Sequence, residues 1–176
     1  MNSRYLILQD GTYYKGIPFG AKSLTFNEII SLDNISSCAA ELVFNTSMCS
    51  YTEVLSDNSY AGQMVVMTTP HIGTVGCDPS WFQHLTHTPQ LRVLIAKKVY
   101  HGPLLNERLS LHQTCENFSI QGLESIDTAA VAKAMGDVFA GRKTELTPQE
   151  SEAFLKEHFN NQTFLLYLGL TEKQRP

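Results

Sequence analysis

Arg4–Gln9 places Tyr5 and Ile7 on one side of an extended segment and Leu6 and Leu8 on the other. Both faces are largely apolar, and the period predicts a buried strand. Asp10-Gly11 follows, then Thr12–Lys15 with two tyrosines. Apolar, Asp-Gly, apolar predicts a β-hairpin closed by a type I′ turn, whose centre needs positive φ. Gly16 to Gly20, around Pro18, reads as an irregular segment, Phe26–Leu32 as a strand and Asp33–Ser37 as a polar turn.

Leu42–Phe44 is predicted as a short buried strand, followed by Asn45-Thr46-Ser47. Ser50-Tyr51-Thr52-Glu53 fits a capping box, in which Ser50 accepts from the Glu53 amide while the Glu53 side chain reaches back. A short helix through about Leu55 follows, and Ser56-Asp57-Asn58-Ser59 ends it. Gln63–Thr68 is a β-branched and Met-rich strand. Pro70-His71-Ile72-Gly73 and Val75-Gly76 form a tight loop whose glycines permit unusual φ. Asp78–Gln90 reads as a loop, Leu91–Tyr100 as a strand, Leu104–Cys115 as a helix and Phe118–Leu123 as a short strand.

Asp127 caps a helix through about Phe139, with Val131, Ala134, Met135 and Val138 at helical spacing. Thr147-Pro148-Gln149-Glu150 is a second capping box, and its helix runs to about Phe159. Thr163–Leu170 is a last apolar run, and residues 171–176 are expected to fray. No repeat, low-complexity segment or interdomain linker divides the chain. The expectation is one mixed α/β domain over residues 1–170, strands first and helices later.

Length and composition agree with this. The chain has 176 residues, enough for a sizeable core, with 43% hydrophobic and 17% charged residues. A formal net charge of −4 argues against a nucleic-acid groove or an anionic membrane as the main partner. No apolar run approaches a bilayer-spanning length. The N-terminus reaches Asp10 too soon for a signal sequence, so a cytoplasmic location is expected. Cys38, Cys49, Cys77 and Cys115 are scattered without a CxxC pair, which favours reduced thiols over a zinc site or disulfides.

Chemistry is sparse. Cys49, His71 and Asp78 can be written as nucleophile, base and orienter, but chance supplies such triples in any chain of this composition. His84, His87 and His101 lack metal-ligand spacing, and no metal or cofactor is implied. There is no phosphate loop and no GxSxG or CxG elbow. Asn45–Ser47 and Ser56–Tyr60 differ, because each sets small polar side chains and free amides beside a helix end. Such groups can hold a carboxylate or amide ligand. They can equally cap and turn their own backbone, and composition alone favours that.

LILQDGTYYKGIPFGA, then ELVFNTSMCSYTEVLSDNSYAGQMVVMTTPHIGTVG, then ESIDT resemble the N-terminal domain of the small, glutamine-handling subunit of carbamoyl phosphate synthetase. The family reads L-x-L-x-D-G-T, then V-F-N-T-S-M-T-G-Y-x-E-x-L-T-D-P-S-Y, then Y-P-H-I-G-N-x-G and I-D-T-R. The resemblance is collinear and implies a swivelling β/β/α domain that packs on the large synthetase subunit and on a glutaminase domain. It also implies that the serine of D-P-S-Y, here Ser59, lies near bound glutamine. Asn45, Thr46, Ser47, Ser50, Tyr51, Asp57, Asn58, Tyr60, Pro70, His71 and Gly73 become the residues expected to shape that site or interface.

The sequence departs from the family at Ser50 (Gly), Asn58 (Pro), Thr69 (aromatic), Thr74 (Asn) and Ala129 (Arg). Ser50 is expected to be structurally silent as a cap, or an obstruction if the glycine serves close approach of another domain. The sequence ends where a linker to the glutaminase would begin, and none of its cysteines has the C-x-G context of that enzyme's nucleophile. A binding or regulatory module without its own catalytic centre is therefore expected. The alternatives are a split small subunit in glutamine-dependent carbamoyl phosphate synthesis, or a repurposed thiol enzyme using Cys49 or Cys77 with His71.

Overall fold

The structure is a computed structural model and describes residues 3–22, 39–48, 50–82, 89, 91–104, 108–159 and 163–167. The strand expected at Phe26–Leu32, the turn at Asp33–Ser37, the tail 171–176, and Cys38, Cys49, His84 and His87 lie outside them. Eight strands form one curled mixed sheet: β1 (Arg4–Ile7), β2 (Tyr13–Gly20), β3 (Ala39–Ala40), β4 (Leu42–Asn45), β5 (Met64–Met67), β6 (Val93–Ala96), β7 (Gln121–Glu124) and β8 (Thr163–Tyr167), in the spatial order β3-β8-β1-β2-β7-β6-β5-β4. Among the described residues four α-helices accompany them: α1 (Tyr51–Ser56), α2 (Leu111–Asn117), α3 (Thr128–Phe139) and α4 (Pro148–Phe159). This is the mixed α/β class expected. Strands and helices interleave, however, and β8 returns after the last helix to pair parallel with β1 and β3.

β4, β5, β6 and β7 run parallel, while β2 is antiparallel to both β1 and β7. The two ends of the sheet are β3 and β4, which only Glu41 separates in the chain, so the sheet curls back on itself. β5 and β6 are buried on both faces, which is why they read as unbroken apolar runs. Met64, Val66, Val93 and Ile95 pack with Leu6, Leu8 and Leu42 and with Val131, Ala134 and Met135 of α3. Val65, Met67, Leu94 and Ala96 face the other way, onto Val54 and Leu55 of α1 and Leu111 and Cys115 of α2.

The hairpin after β1 forms with a different turn. Gly11 N donates to Leu8 O (3.0 Å) and Leu8 N to Thr12 O (2.8 Å), and Gly11 alone in the turn has positive φ, 79°. That is a three-residue loop ending in a left-handed glycine rather than a type I′ turn. Gly16–Gly20 is not irregular: it continues β2, with Pro18 opposite Leu123 of β7. Among the described residues no strand other than β7 pairs with Ile17–Gly20, a setting that tolerates a residue without an N–H.

The helix expected at Leu104–Cys115 starts at Leu111, where Ser110 and Gln113 form a capping box. Asp127 caps α3 as expected, accepting from the Ala129 and Ala130 amides. Thr147 and Glu150 form their box at α4. α4 then sets Phe159 edge-on to Tyr5 (5.0 Å) and Tyr13 (5.3 Å), covering the outer face of the hairpin.

Candidate functional site

Of the expected site residues, Asn45, Ser47 and Tyr60 meet where β4 ends. The backbone leaves β4 at Asn45, whose O accepts from Thr68 N (3.0 Å) and so ties the two strand ends together. Asn45 Oδ1 accepts from Ser47 N (2.7 Å), and Asn45 Nδ2 donates to Tyr60 Oη (2.9 Å). Asn45, Ser47 and Tyr60 therefore form one unit joining the end of β4 to the turn after α1. Thr46 is exposed beside them.

Ser50 does not cap α1 with its side chain. Its φ is 67° and its ψ 27°, in the left-handed region, and its hydroxyl makes no cap hydrogen bond. The capping box is therefore absent; the sharp bend into the helix dictates the backbone, and it is a bend that favours glycine. The Glu53 carboxylate, expected to reach back, has no partner among the described residues. Tyr51 is buried, and its hydroxyl donates to Gly76 O (2.7 Å). Burial pushes the Tyr51 hydroxyl far above its ordinary value.

Asp57 ends α1 and starts a 3₁₀ turn over Asn58–Tyr60. Its Oδ1 accepts from Ser59 N (2.8 Å) and Ser59 Oγ (2.7 Å), and these bonds hold the carboxyl below its usual range. Ser59 and Asn58 are exposed. The Ser59 hydroxyl proton is engaged, which leaves its oxygen as an acceptor. The sequence reading missed that the same device recurs: Asp78 Oδ1 accepts from Ser80 N (2.9 Å) and Ser80 Oγ (2.7 Å), opening a 3₁₀ turn over Pro79–Trp81. The repeated Asp-x-Ser-aromatic spacing at 57–60 and 78–81 was the available signal.

Pro70 and His71 are exposed after β5, and Ile72 then pairs with the strap beyond β6. Ile72 N donates to Lys98 O (3.1 Å) and Tyr100 N to Ile72 O (2.9 Å). Gly73 takes φ of 95°, against the Tyr100 backbone, so the loop needs glycine there. The strap is itself anchored by the buried Glu124 at the end of β7. Glu124 Oε2 accepts from Val99 N (2.8 Å), and Oε1 lies 2.6 Å from His101 Nε2. His101, its side chain half exposed, is therefore a partner of Glu124. Thr69 is 6% exposed, and its hydroxyl has no partner among the described residues.

Cys77 is buried, and burial pushes its thiol up, hydrogen bonds with Thr114 and Thr52 opposing this only in part. That is the reverse of an activated nucleophile. Among the described residues no three His, Cys, Asp or Glu side chains group as metal ligands, and no helix is long and apolar enough to cross a membrane.

Apolar side chains lie open around these loops. Phe44 is 54% exposed and Met48 86%. Val75 and Trp81 line a recess of about 210 Å³ together with Ser50, Tyr51, Thr52 and Glu53. Arg108 contacts two of these residues, its guanidinium 4.4 Å from the Trp81 ring centre and its Nη1 donating to Val75 O (3.0 Å).

The family model described as "Carbamoyl-phosphate synthase small chain, CPSase domain" matches residues 6–140. This chain belongs to that family. It is 33% identical over 134 residues to the carbamoyl phosphate synthase small chain of Staphylococcus saprophyticus, covering 76% of this chain and 32% of that protein. To the small chain of Fusobacterium nucleatum it is 37% identical over 136 residues, covering 77% and 34%. To that of Thermus thermophilus it is 31% identical over 167 residues, covering 86% and 38%. The chain thus spans about a third of the length of the curated relatives it matches.

Proposed function

We propose that these residues form a non-catalytic binding module that docks on a carbamoyl phosphate synthetase large subunit or on a separate glutaminase domain. The observation that carries this reading is the exposure of four large apolar side chains, Phe44, Met48, Val75 and Trp81, on the same stretch of chain as the Asn45–Tyr60 and Asp57–Ser59 bonds. The buried, raised thiol of Cys77 supports a role without its own nucleophile. Co-purification of the chain with each candidate partner tests the proposal. Retention of one of them at micromolar concentrations is expected, and failure to retain either would overturn it.

A second reading rests on Ser59. Its hydroxyl is exposed, fixed by Asp57 and still able to accept a hydrogen bond, as a contact to glutamine in a split small subunit requires. In an assembly of this chain with a glutaminase and the large subunit, Ser59→Ala is expected to weaken apparent glutamine affinity about three- to tenfold, the range for one hydrogen bond. Unchanged affinity would remove Ser59 from the glutamine site.

A further inference from the structure

The recess beside Trp81 has a composition that selects its occupant. It is lined by Trp81, Tyr51 and Val75 and by the polar residues Ser50, Thr52 and Glu53. Glu53 is the one charged side chain among these, and among the described residues nothing neutralises it. The Ser50 amide that a capping box would offer to Glu53 is not engaged, because Ser50 adopts the left-handed conformation. An exposed, unpaired carboxylate on a recess that also carries Trp81 complements a cation: the carboxylate supplies the charge and an indole ring favours a flat, weakly hydrated guanidinium. The protein already shows that Trp81 accepts such a group, since Arg108 lies on its ring. Arg108 brings a positive charge to the rim, but Asp78 lies close enough for that charge to help lower its carboxyl, behind the larger effect of the Ser80 bonds. Among the described residues named here, one cation, Arg108, stands against two carboxylates, Glu53 and Asp78.

We propose that this recess receives an arginine or lysine side chain of the docking partner, with Glu53 as its counter-charge and Trp81 as its aromatic wall. The proposal rests on the docking reading above and gives that surface its partner chemistry.

Trp81 is the only tryptophan in the chain, so its fluorescence reports on the recess directly. The intact chain is titrated with the capped tripeptide acetyl-Gly-Arg-Gly-amide, its lysine counterpart, and acetyl-Gly-Glu-Gly-amide. The basic peptides are expected to give a saturating change at millimolar concentration, and the acidic peptide none. Glu53→Gln should weaken the arginine response about fivefold, the scale of a partly exposed ion pair. Glu116→Gln, an exposed carboxylate on α2, should leave it unchanged and so controls for overall charge. Circular dichroism establishes that both variants are folded. No saturation with the basic peptides, equal responses to basic and acidic peptides, or an unaltered Glu53→Gln response would overturn the proposal. Because no partner protein is used, a failed co-purification would count against docking alone, and a failed titration against the basic-residue pocket alone.

Discussion

At the scale of single residues, Ser50 is the position where local pattern and backbone disagree most. A serine ahead of an apolar helix start, with Glu three residues later, fits an N-cap, and the fold overrides it by requiring φ of 67°. A left-handed L-residue costs about 1–2 kcal/mol, part of which glycine gives back as entropy in the unfolded chain. The Ser50 side chain contributes no cap bond to offset that cost. Ser50→Gly, the family's residue, is therefore expected to stabilise the fold by about 1 kcal/mol, which thermal or urea unfolding measures. A loss of stability would mean that the serine makes a contact worth more than its strain.

At the scale of elements, the C-terminal segment is clasped to the first hairpin through the turn at Asp10. Asp10 is 4% exposed; its Oδ2 accepts from Lys143 Nζ (2.6 Å) and Thr12 Oγ1 (2.7 Å), and its Oδ1 from Thr12 N (3.0 Å). Leu146 N donates to Gln9 O (2.9 Å) beside it. Burial alone would raise the Asp10 carboxyl, but the bonds from Lys143 and Thr12 outweigh it and hold it below its ordinary value. A carboxyl lowered by folding stabilises above its unfolded pKa, near 4, and loses that contribution as pH falls through the folded value. Asp10→Asn should thus cost about 1–2 kcal/mol at pH 7 and converge with the parent protein in acid. A pH series of unfolding midpoints checks this; a constant gap down to pH 2 would refute the ionic role.

The elements also show what was legible in the sequence. The caps at Asp127 and Thr147 were readable because side chain and amide lie within three residues of each other. The apolar runs of β5 and β6 and the α3 face Val131, Ala134, Met135 and Val138 were readable from period alone. What failed depends on distant partners. Pro18 lies in a strand because Leu123 is brought opposite it, a pairing no local pattern announces. For the candidate site, the Asp57–Ser59 turn was legible locally, whereas the Asn45–Tyr60 link and the recess between Glu53 and Trp81 exist only once the loops meet.

At the scale of the whole molecule, the curl of the sheet places β1 where one buried cation can serve three strand ends. Arg4 is 3% exposed; its Nη1 donates to Gly122 O (2.5 Å) and Phe19 O (3.3 Å), and its Nη2 to Ala21 O (2.8 Å). It therefore fastens β1 to the far end of β2 and to β7, across the turn of the sheet. No carboxylate faces it among the described residues, and burial lowers the guanidinium to about 10, still charged at neutral pH. That lowering corresponds to a desolvation cost on the order of 3 kcal/mol. Three charge-assisted bonds, at roughly 1.5–3 kcal/mol each, exceed that cost. Arg4→Leu removes both terms and strands three carbonyls, so a net loss of about 2 kcal/mol is expected. Arg4→Lys keeps a buried charge, yet a point-like ammonium cannot match a fork that spans three acceptors. The conservative change should therefore be the more damaging one, and urea unfolding of the two variants decides it. If lysine proves milder than leucine, the positive charge itself, and not the geometry of the fork, holds the curl together.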